Sequence, residues 1–240
     1  MTFKEMAGTA RALLPTKPCG AVLVAAGSAS RMGGIDKVMA PLRGEPMILR
    51  TAGVFQRSES IKEIVIVTRE DLIGPITDLC AGLSKVKAVI RGGSSRQESV
   101  RLGLNALSRE ILLAAVHDGA RPLVSEALID RTIRAAHTYG AAAPAVPVKD
   151  TVKVMEAGFV KSTPDRSALR AVQTPQVIDR DLLLGALEKA EKEGTAVTDD
   201  CSAVEHIGMK VRLVEGEERN LKVTTPLDLK IAELLLEEEI

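Results

Sequence analysis

The chain has 240 residues, and lysine plus arginine balance aspartate plus glutamate at 32 each, so the formal net charge is zero. A neutral chain with 2% aromatic residues lacks the basic surface and the stacking side chains that nucleic-acid recognition needs. The sequence has no apolar run near the roughly 20 residues of a membrane span, and its three cysteines are dispersed, which is typical of reduced thiols. We therefore expect a cytoplasmic protein that binds neither nucleic acid nor a membrane.

The chain opens with an N-terminal extension, predicted over residues 1–18, before a domain predicted over residues 19–240. Charged residues interrupt the only apolar stretch of the extension that could serve as a secretion signal. The predicted first strand, at 21–26, leads directly into small residues, and Arg31 and Lys37 follow. Small residues let backbone N–H groups approach a ligand, and two cations can hold a polyphosphate. This loop predicts a nucleoside triphosphate site, and the alternative is a buried strand followed by a solvated basic loop.

The first half of the chain alternates between strand and helix patterns. Strands are predicted at 63–68, 86–90 and 114–117, and helices at 47–57, 70–82, 96–108 and 125–139. This alternation predicts an α/β fold with a mostly parallel twisted sheet and helices on both faces. Ligands in such sheets bind at the carboxyl ends of the strands, where the basic loop would lie.

The pattern changes after Pro147. Alternating segments at 151–155 and 159–161 flank Glu156-Ala157-Gly158, which predicts a β-hairpin arm at about 148–164. Because no helix is predicted to cover this arm, a second subunit is the simplest cover. The chain then continues with a predicted helix at 179–193, a strand at 210–214 and a last helix that begins at Pro226.

Two clusters of residues that could bind a ligand follow predicted strands. In the segment 92–100, Ser99 can offer a hydroxyl to a base or ribose, whereas Ser94 is equally typical of a helix N-cap. At the end of the strand at 114–117, Asp118 could face a metal–phosphate group or sugar hydroxyls, or form a local salt bridge with Arg121. His117 beside it is more typical of a buried core histidine than of a catalyst.

The order of several short motifs resembles the 2-C-methyl-D-erythritol 4-phosphate cytidylyltransferase family from residue 20 to residue 235. The motifs are Ala-Ala-Gly with Arg-Met and Lys (25–37), Gly-Gly with Arg-Gln-x-Ser-Val (92–100), His-Asp-x-Ala-Arg-Pro (117–122), Pro-Val-x-Asp-Thr-Val-Lys (147–153), Thr-Pro-Gln (174–176), Thr-Asp-Asp (198–200) and Asn-x-Lys-Val-Thr (220–224). The resemblance implies a Rossmann-like nucleotidyltransferase fold, CTP and methylerythritol phosphate as substrates, Mg²⁺ as cofactor, and a homodimer with an exchanged β-arm.

The resemblance also implies roles for individual residues. Nucleotide binding is implied for Ala25, Ala26, Gly27, Gly93, Ser94, Ser99 and Asp118. Catalytic roles are implied for Arg31, Lys37, Arg166 and Lys222, and binding of the acceptor for Arg121, Thr151, Arg166, Thr174 and Lys222. No protein ligand is assigned to Mg²⁺, which is expected mainly on the phosphates. The alternatives are a ribitol 5-phosphate cytidylyltransferase, a molybdenum cofactor guanylyltransferase, and a nucleotide-binding regulator without catalysis.

Overall fold

Twelve strands and seven α-helices lie in residues 17–27 and 36–237, the parts of the chain that the computed structural model describes. The strands are β1 (Cys19–Ala25), β2 (Pro41–Leu42), β3 (Glu45–Pro46), β4 (Ile61–Thr68), β5 (Val86–Arg91), β6 (Leu113–Asp118), β7 (Ala141–Pro147), β8 (Val154–Glu156), β9 (Phe159–Ser162), β10 (Arg170–Val172), β11 (Gln176–Asp179) and β12 (Arg212–Glu215). The helices are α1 (Met47–Arg57), α2 (Ile73–Leu79), α3 (Arg96–Ala106), α4 (Glu126–Tyr139), α5 (Arg180–Lys192), α6 (Asp200–His206) and α7 (Pro226–Glu237). None of these helices is long and apolar enough to cross a bilayer.

Eight of the strands form one sheet in the order β10-β7-β11-β6-β1-β4-β5, with β12 paired to β7. Strands β6, β1, β4 and β5 are parallel, whereas β11 runs antiparallel to both β6 and β7. The chain moves outward from β1 to β4 and β5 and then returns to the other side of β1 at β6. The carboxyl ends of β1 and β6 therefore flank a topological switch point, where α/β sheets form their ligand crevices.

The core lies on both faces of the sheet. Alternate residues of β1 point to opposite sides, so that Leu23 packs with α1, α2 and α4 while Val22 packs with α3, α5 and α6. Burial on both faces explains why the central strands are continuous apolar runs. A third, smaller cluster packs α7 against the residues after β6 through Val223, Ala120 and Leu123. The predicted mostly parallel sheet with helices on both faces is confirmed.

Several predicted boundaries are wrong in detail. The helix predicted at 70–82 is a 3₁₀ turn at Glu70–Leu72 followed by α2, which ends before Cys80. In the predicted hairpin, pairing begins at Val154 rather than at residue 151. Strands β7, β10 and β11 and helix α6 are additional elements, and the strand predicted at 210–214 is β12. The predicted extension falls outside the described residues, apart from Lys17 and Pro18.

The hairpin of β8 and β9 pairs only with itself among the described strands. Its turn places Ala157 and Gly158 at φ 50° and 85°, which is the two-residue geometry that matches strand twist. All residues of both strands are exposed, and Phe159 is 79% exposed and Met155 72%. The hairpin therefore leaves the apolar side chains of an arm without cover in this chain.

Candidate active site

A cleft of about 370 Å³ opens at the carboxyl ends of β1 and β6. The residues that line it are Val24, Ala25, Ala26, Gly27, Lys37, Val38, Gly93, Ser94, Ser95, Arg96, Ser99, Asp118, Ala120 and Lys222. Nine of the predicted site residues are among them, although they come from five separate stretches of the chain. A second cavity, of about 310 Å³ beside α1 and α4, is lined by none of the predicted site residues that the structure describes.

One wall of the cleft follows β1. Ala25, Ala26 and Gly27 present little more than backbone there, as predicted for a turn that approaches a ligand closely. The turn after it begins at Asp36, whose Oδ1 accepts a hydrogen bond from Val38 N at 3.0 Å and caps the 3₁₀ turn that carries Lys37. Arg31 lies outside the described residues, so its predicted role stays a prediction.

The side chain of Arg69, just after β4, fixes this 3₁₀ turn to the sheet. Its guanidinium forms an ion pair with Oδ2 of Asp36 and another with Asp71 at 2.9 Å. Asp36 thus uses one oxygen to cap the turn and the other to bind Arg69. This arrangement sets the position of Lys37 at the edge of the cleft.

The opposite wall is the turn between β5 and α3. Gly93 N donates to the hydroxyl of Ser99 at 3.1 Å, and that hydroxyl donates to the carbonyl of Ser95 at 2.8 Å. A Cβ on Gly92 would lie 2.6 Å from Cβ of Ala26, so glycine is required for the two walls to approach each other. The turn is therefore held rigidly beside the β1 wall.

The two serines at the start of α3 have different functions. Ser95, not Ser94, is the N-cap of the helix, since its hydroxyl accepts from Glu98 N at 3.0 Å. The amide and hydroxyl of Ser94 both donate to Oε2 of Glu98, at 2.6 and 2.8 Å. Ser94 is therefore not the N-cap of α3, and it lines the cleft instead.

Asp118, the last residue of β6, is the acidic residue that lines the described cleft. Its Oδ2 lies 3.0 Å from Nζ of Lys222 and 3.2 Å from Nε of Arg121, so the local salt bridge to Arg121 is present together with a second one. Burial on its own would raise the pKa of this carboxyl, but the charges of Lys222, Arg121 and Arg96 outweigh it and lower the pKa from 3.8 to about 2. Asp118 is therefore a carboxylate at neutral pH.

Lys222 reaches the cleft because the next residue is anchored. Val223 is buried, and its amide donates to the carbonyl of Ala120 at 2.9 Å. The carbonyl of Asn220 accepts from Arg121 at 2.7 Å. The segment before α7 is thus fastened to the loop after β6, which brings Lys222 beside Asp118.

His117 and Thr174 lie behind the cleft and support it. His117 is fully buried, with Nε2 3.2 Å from the carbonyl of Arg121 and Nδ1 2.9 Å from the hydroxyl of Thr174. Since a carbonyl only accepts, Nε2 carries the ring proton and Nδ1 accepts from Thr174. The same hydroxyl accepts from Asp118 N at 3.2 Å. The structure thus uses Thr174, predicted to bind the acceptor, to hold the end of β6, and His117 is the buried core histidine expected from the sequence.

Arg96 lines the cleft without having a predicted role. Its guanidinium makes a two-point contact with Asp200, at 3.0 and 2.7 Å, and the Asp200 side chain is 1% exposed. Burial would lower the pKa of Arg96, but the charge and hydrogen bonds of Asp200 raise it above its ordinary value. The local sequence signal for Arg96 is a cation in the first turn of a helix, which opposes the helix dipole, but no local pattern identifies Asp200 as its partner.

Thr151 and Arg166 do not line the cleft of this chain. Both are exposed at the base of the arm, and Arg166 donates to the carbonyl of Lys149. A separate open cavity beside β10 contains Arg166 and Arg170. One chain therefore brings the predicted nucleotide residues together but leaves these two predicted acceptor residues outside.

The donor set of the cleft fits a magnesium ion that is held mostly by phosphates. The described residues contain no group of three or more histidine, cysteine or acidic side chains placed to bind a metal. Mg²⁺ is commonly bound by one or two carboxylates together with substrate phosphates and water. Asp118 supplies one ionised carboxylate, whose ion pairs with Arg121 and Lys222 both use Oδ2.

The fold and the cleft define a nucleotide-binding α/β protein of the nucleotidyltransferase type, with lysines and backbone amides where a polyphosphate would lie. The family model of 2-C-methyl-D-erythritol 4-phosphate cytidylyltransferase matches residues 19–238, and the chain belongs to that family. It is 43% identical over 225 residues to the enzyme of that name from Caldanaerobacter subterraneus subsp. tengcongensis, covering 90% of this chain and 97% of that one. It is 46% identical over 224 residues to the enzyme from Geobacillus thermodenitrificans, covering 92% and 97%.

The similarity extends to solved structures. The crystal structure of 4-diphosphocytidyl-2C-methyl-D-erythritol synthase from Anaerococcus prevotii superposes with a TM-score of 0.84 at 33% identity, covering 92% of this chain and 97% of that one. The family resemblance inferred from the ordered motifs is thereby confirmed.

Proposed function

We propose that the protein transfers the cytidylyl group of CTP to 2-C-methyl-D-erythritol 4-phosphate, giving 4-diphosphocytidyl-2-C-methyl-D-erythritol and pyrophosphate. The observation that carries this proposal is the cleft at the switch point, where Lys37 and Lys222 flank small-residue turns that would admit a nucleotide. The family match supports this acceptor over ribitol 5-phosphate, and a cytidine nucleotide over a guanosine nucleotide.

The chemistry requires little acid–base catalysis. An oxygen of the acceptor phosphate attacks the α-phosphorus of CTP in line, and the bond from that phosphorus to the oxygen bridging to the β-phosphate breaks. Pyrophosphate leaves with the electron pair of the broken bond. The new P–O bond joins the two phosphates into the diphosphate linkage of the product. The acceptor phosphate is ionised near neutral pH, so catalysis consists of positioning two anions and stabilising the charge that develops. Cations such as Lys37 and Arg31 suit that task better than a nucleophile and base would.

Mg²⁺ would be held by Asp118 and the phosphates of CTP. It would neutralise phosphate charge and orient the triphosphate. Lys222 and Arg121 hold Oδ2 of Asp118, which fixes the direction in which the carboxylate faces the cleft.

We further propose that the working enzyme is a homodimer whose arms complete the acceptor site. The strands β8 and β9 expose Met155, Phe159 and Val160, and an isolated two-stranded hairpin is marginally stable in water. Thr151 and Arg166 lie at the base of this arm and outside the cleft of their own chain. A partner that covers the arm would bring both residues to its own cleft, where the acceptor phosphate needs cations.

The three buried free thiols support the expected cytoplasmic location.

Pyrophosphate release tests the proposal with four substrate pairs: CTP or GTP, each with methylerythritol phosphate or ribitol 5-phosphate. We expect release to be fastest with CTP and methylerythritol phosphate. Faster release with ribitol 5-phosphate would favour the ribitol enzyme, and faster release with GTP the guanylyltransferase. Binding of CTP without release from any pair would indicate a nucleotide-binding regulator.

A further inference from the structure

Arg96 and Asp200 form a buried ion pair that opens at one end into the cleft. The Asp200 side chain is 1% exposed, whereas that of Arg96 is 31% exposed and lines the cleft between the two walls. A buried ion pair contributes little net stability, because the cost of desolvation offsets the attraction. An apolar pair of similar size could join α3 to α6 as well. The location of the arginine at the cleft therefore calls for a reason beyond packing.

The residues on either side of Asp200 are held in place by further hydrogen bonds. Asp200 is the first residue of α6, and the preceding Asp199 caps that helix through Ser202. Gln176, which is 2% exposed in β11, donates to Asp199 at 2.7 Å and accepts from the amide of Cys201 at 2.9 Å. The Thr-Pro-Gln and Thr-Asp-Asp motifs thus meet behind Arg96 through Gln176, while Thr174 of the first motif supports the end of β6.

The pairing geometry determines what Arg96 can still bind. The contact with Asp200 uses one N–H on each terminal nitrogen, so roughly three of the five guanidinium N–H groups are left for other acceptors. Because Asp200 neutralises its charge, the pair adds no net attraction for a triphosphate. It is suited instead to uncharged acceptors such as the oxygens and ring nitrogens of a nucleoside.

We infer that Arg96 binds the nucleoside part of the nucleotide, and that Asp200 is a positioning residue that holds the guanidinium in its binding orientation. Arg96 begins α3, directly after the turn between β5 and α3, whereas Lys37 and Lys222 supply the cations of the cleft. The division is between the charge-balanced pair of Arg96 and Asp200 for the base and ribose and the two lysines for the phosphates. This inference rests on the proposed function for the identity of the nucleotide.

The main test is the double variant Arg96→Gln/Asp200→Asn, because removing one partner alone leaves a buried charge that can prevent folding. The amide pair keeps the neutrality of the original pair, with a shorter side chain at position 96. Calorimetry measures the binding of CTP and of inorganic tripolyphosphate to the wild type and the variant. We expect CTP affinity to fall by about 10- to 100-fold, the loss of hydrogen bonds to a charged donor, while tripolyphosphate affinity stays unchanged.

Two single variants complete the test. Lys37→Ala should weaken the binding of both ligands, because it removes a cation that would contact the phosphates. It serves as the matched control. Asp200→Asn keeps the arginine but removes the anion that orients and balances its guanidinium, so the affinity for CTP should fall relative to that for tripolyphosphate, which the unbalanced charge should raise. A folded double variant with wild-type CTP affinity overturns the inference, and an equal loss for both ligands places Arg96 on the phosphates instead.

Failure of the proposed function gives a different result. A wild type that binds GTP more tightly than CTP contradicts cytidylyl transfer, and the same comparison made with GTP then decides the role of Arg96. A wild type that binds tripolyphosphate but no nucleotide contradicts both.

Discussion

Acidification should destabilise this protein through His117. The ring is fully buried and contacts Phe55 in a tilted arrangement, with the ring centroids 4.9 Å apart. Burial lowers the pKa of His117 from 6.5 to about 4, because the imidazolium would lose its solvation. Its neutral form is the one bonded to Thr174 and to the carbonyl of Arg121. Protonation would therefore disturb the support of the cleft as well as the core.

The sign and size of the effect follow from this shift. Between its unfolded pKa of 6.5 and its folded pKa of about 4, the histidine binds more protons in the unfolded chain. The contribution of neutral His117 to the free energy of unfolding is fully present above pH 6.5. It falls as the pH decreases through this interval and levels off below the folded pKa. At pH 5 the loss from this residue amounts to about 2 kcal/mol of unfolding free energy.

Urea denaturation at pH 7 and pH 5 measures this loss. Between these pH values the wild type should lose about 2 kcal/mol more than His117→Gln, which cannot titrate but keeps polar atoms toward Thr174. The control is His206→Gln, at an exposed histidine paired with Glu193, and it should keep the wild-type pH dependence. Equal losses in the wild type and His117→Gln would refute the reasoning.

Three further predictions concern the site and the arm. Lys37→Ala and Arg31→Ala should each lower turnover by about 10²- to 10³-fold without unfolding the protein, as when one charge-stabilising donor is removed; near-normal turnover would exclude that residue from the mechanism. Arg69→Ala should lower turnover by releasing Asp36 and with it Lys37, while thermal unfolding changes little; unchanged turnover would show that the Asp36 cap suffices. The variants Lys37→Ala and Arg166→Ala should each be inactive alone, but their co-expression should make about a quarter of all sites intact. Half of randomly paired dimers are mixed, and each mixed dimer has one site with both substitutions and one with neither. No recovery would mean that Arg166 serves its own chain.

Local signals in the sequence predict much of the fold. Helix α4 is predicted within one residue because Ser125 is a good N-cap and Gly140 a left-handed C-cap, at φ 87°. Strand β7 escapes prediction because Ala141–Pro147 consists of alanine, valine and proline, a poor strand sequence by propensity. Its pairing with β10, β11 and β12 overrides that propensity, and such pairing depends on distant parts of the chain.

The site is predictable where backbone or a single side chain follows a strand end. Ala25–Gly27 and Asp118 are examples, since the carboxyl ends of parallel strands meet at one edge. The pair of Arg96 and Asp200 is not predictable in this way, because 104 residues separate its partners. The roles of Thr174 and Gln176 behind the cleft depend on β11 running antiparallel to β6, which no local pattern indicates.

The fate of the α-phosphate of CTP tests the central claim most directly. Wild-type protein is incubated with Mg²⁺, methylerythritol phosphate and CTP labelled at the α-phosphorus or, in a parallel sample, at the γ-phosphorus. We predict that the α label enters the diphosphate product while the γ label appears in pyrophosphate, and that Lys37→Ala slows both equally. An α label that ends in free CMP, or remains in CTP while the acceptor is unchanged, would contradict cytidylyl transfer in this cleft.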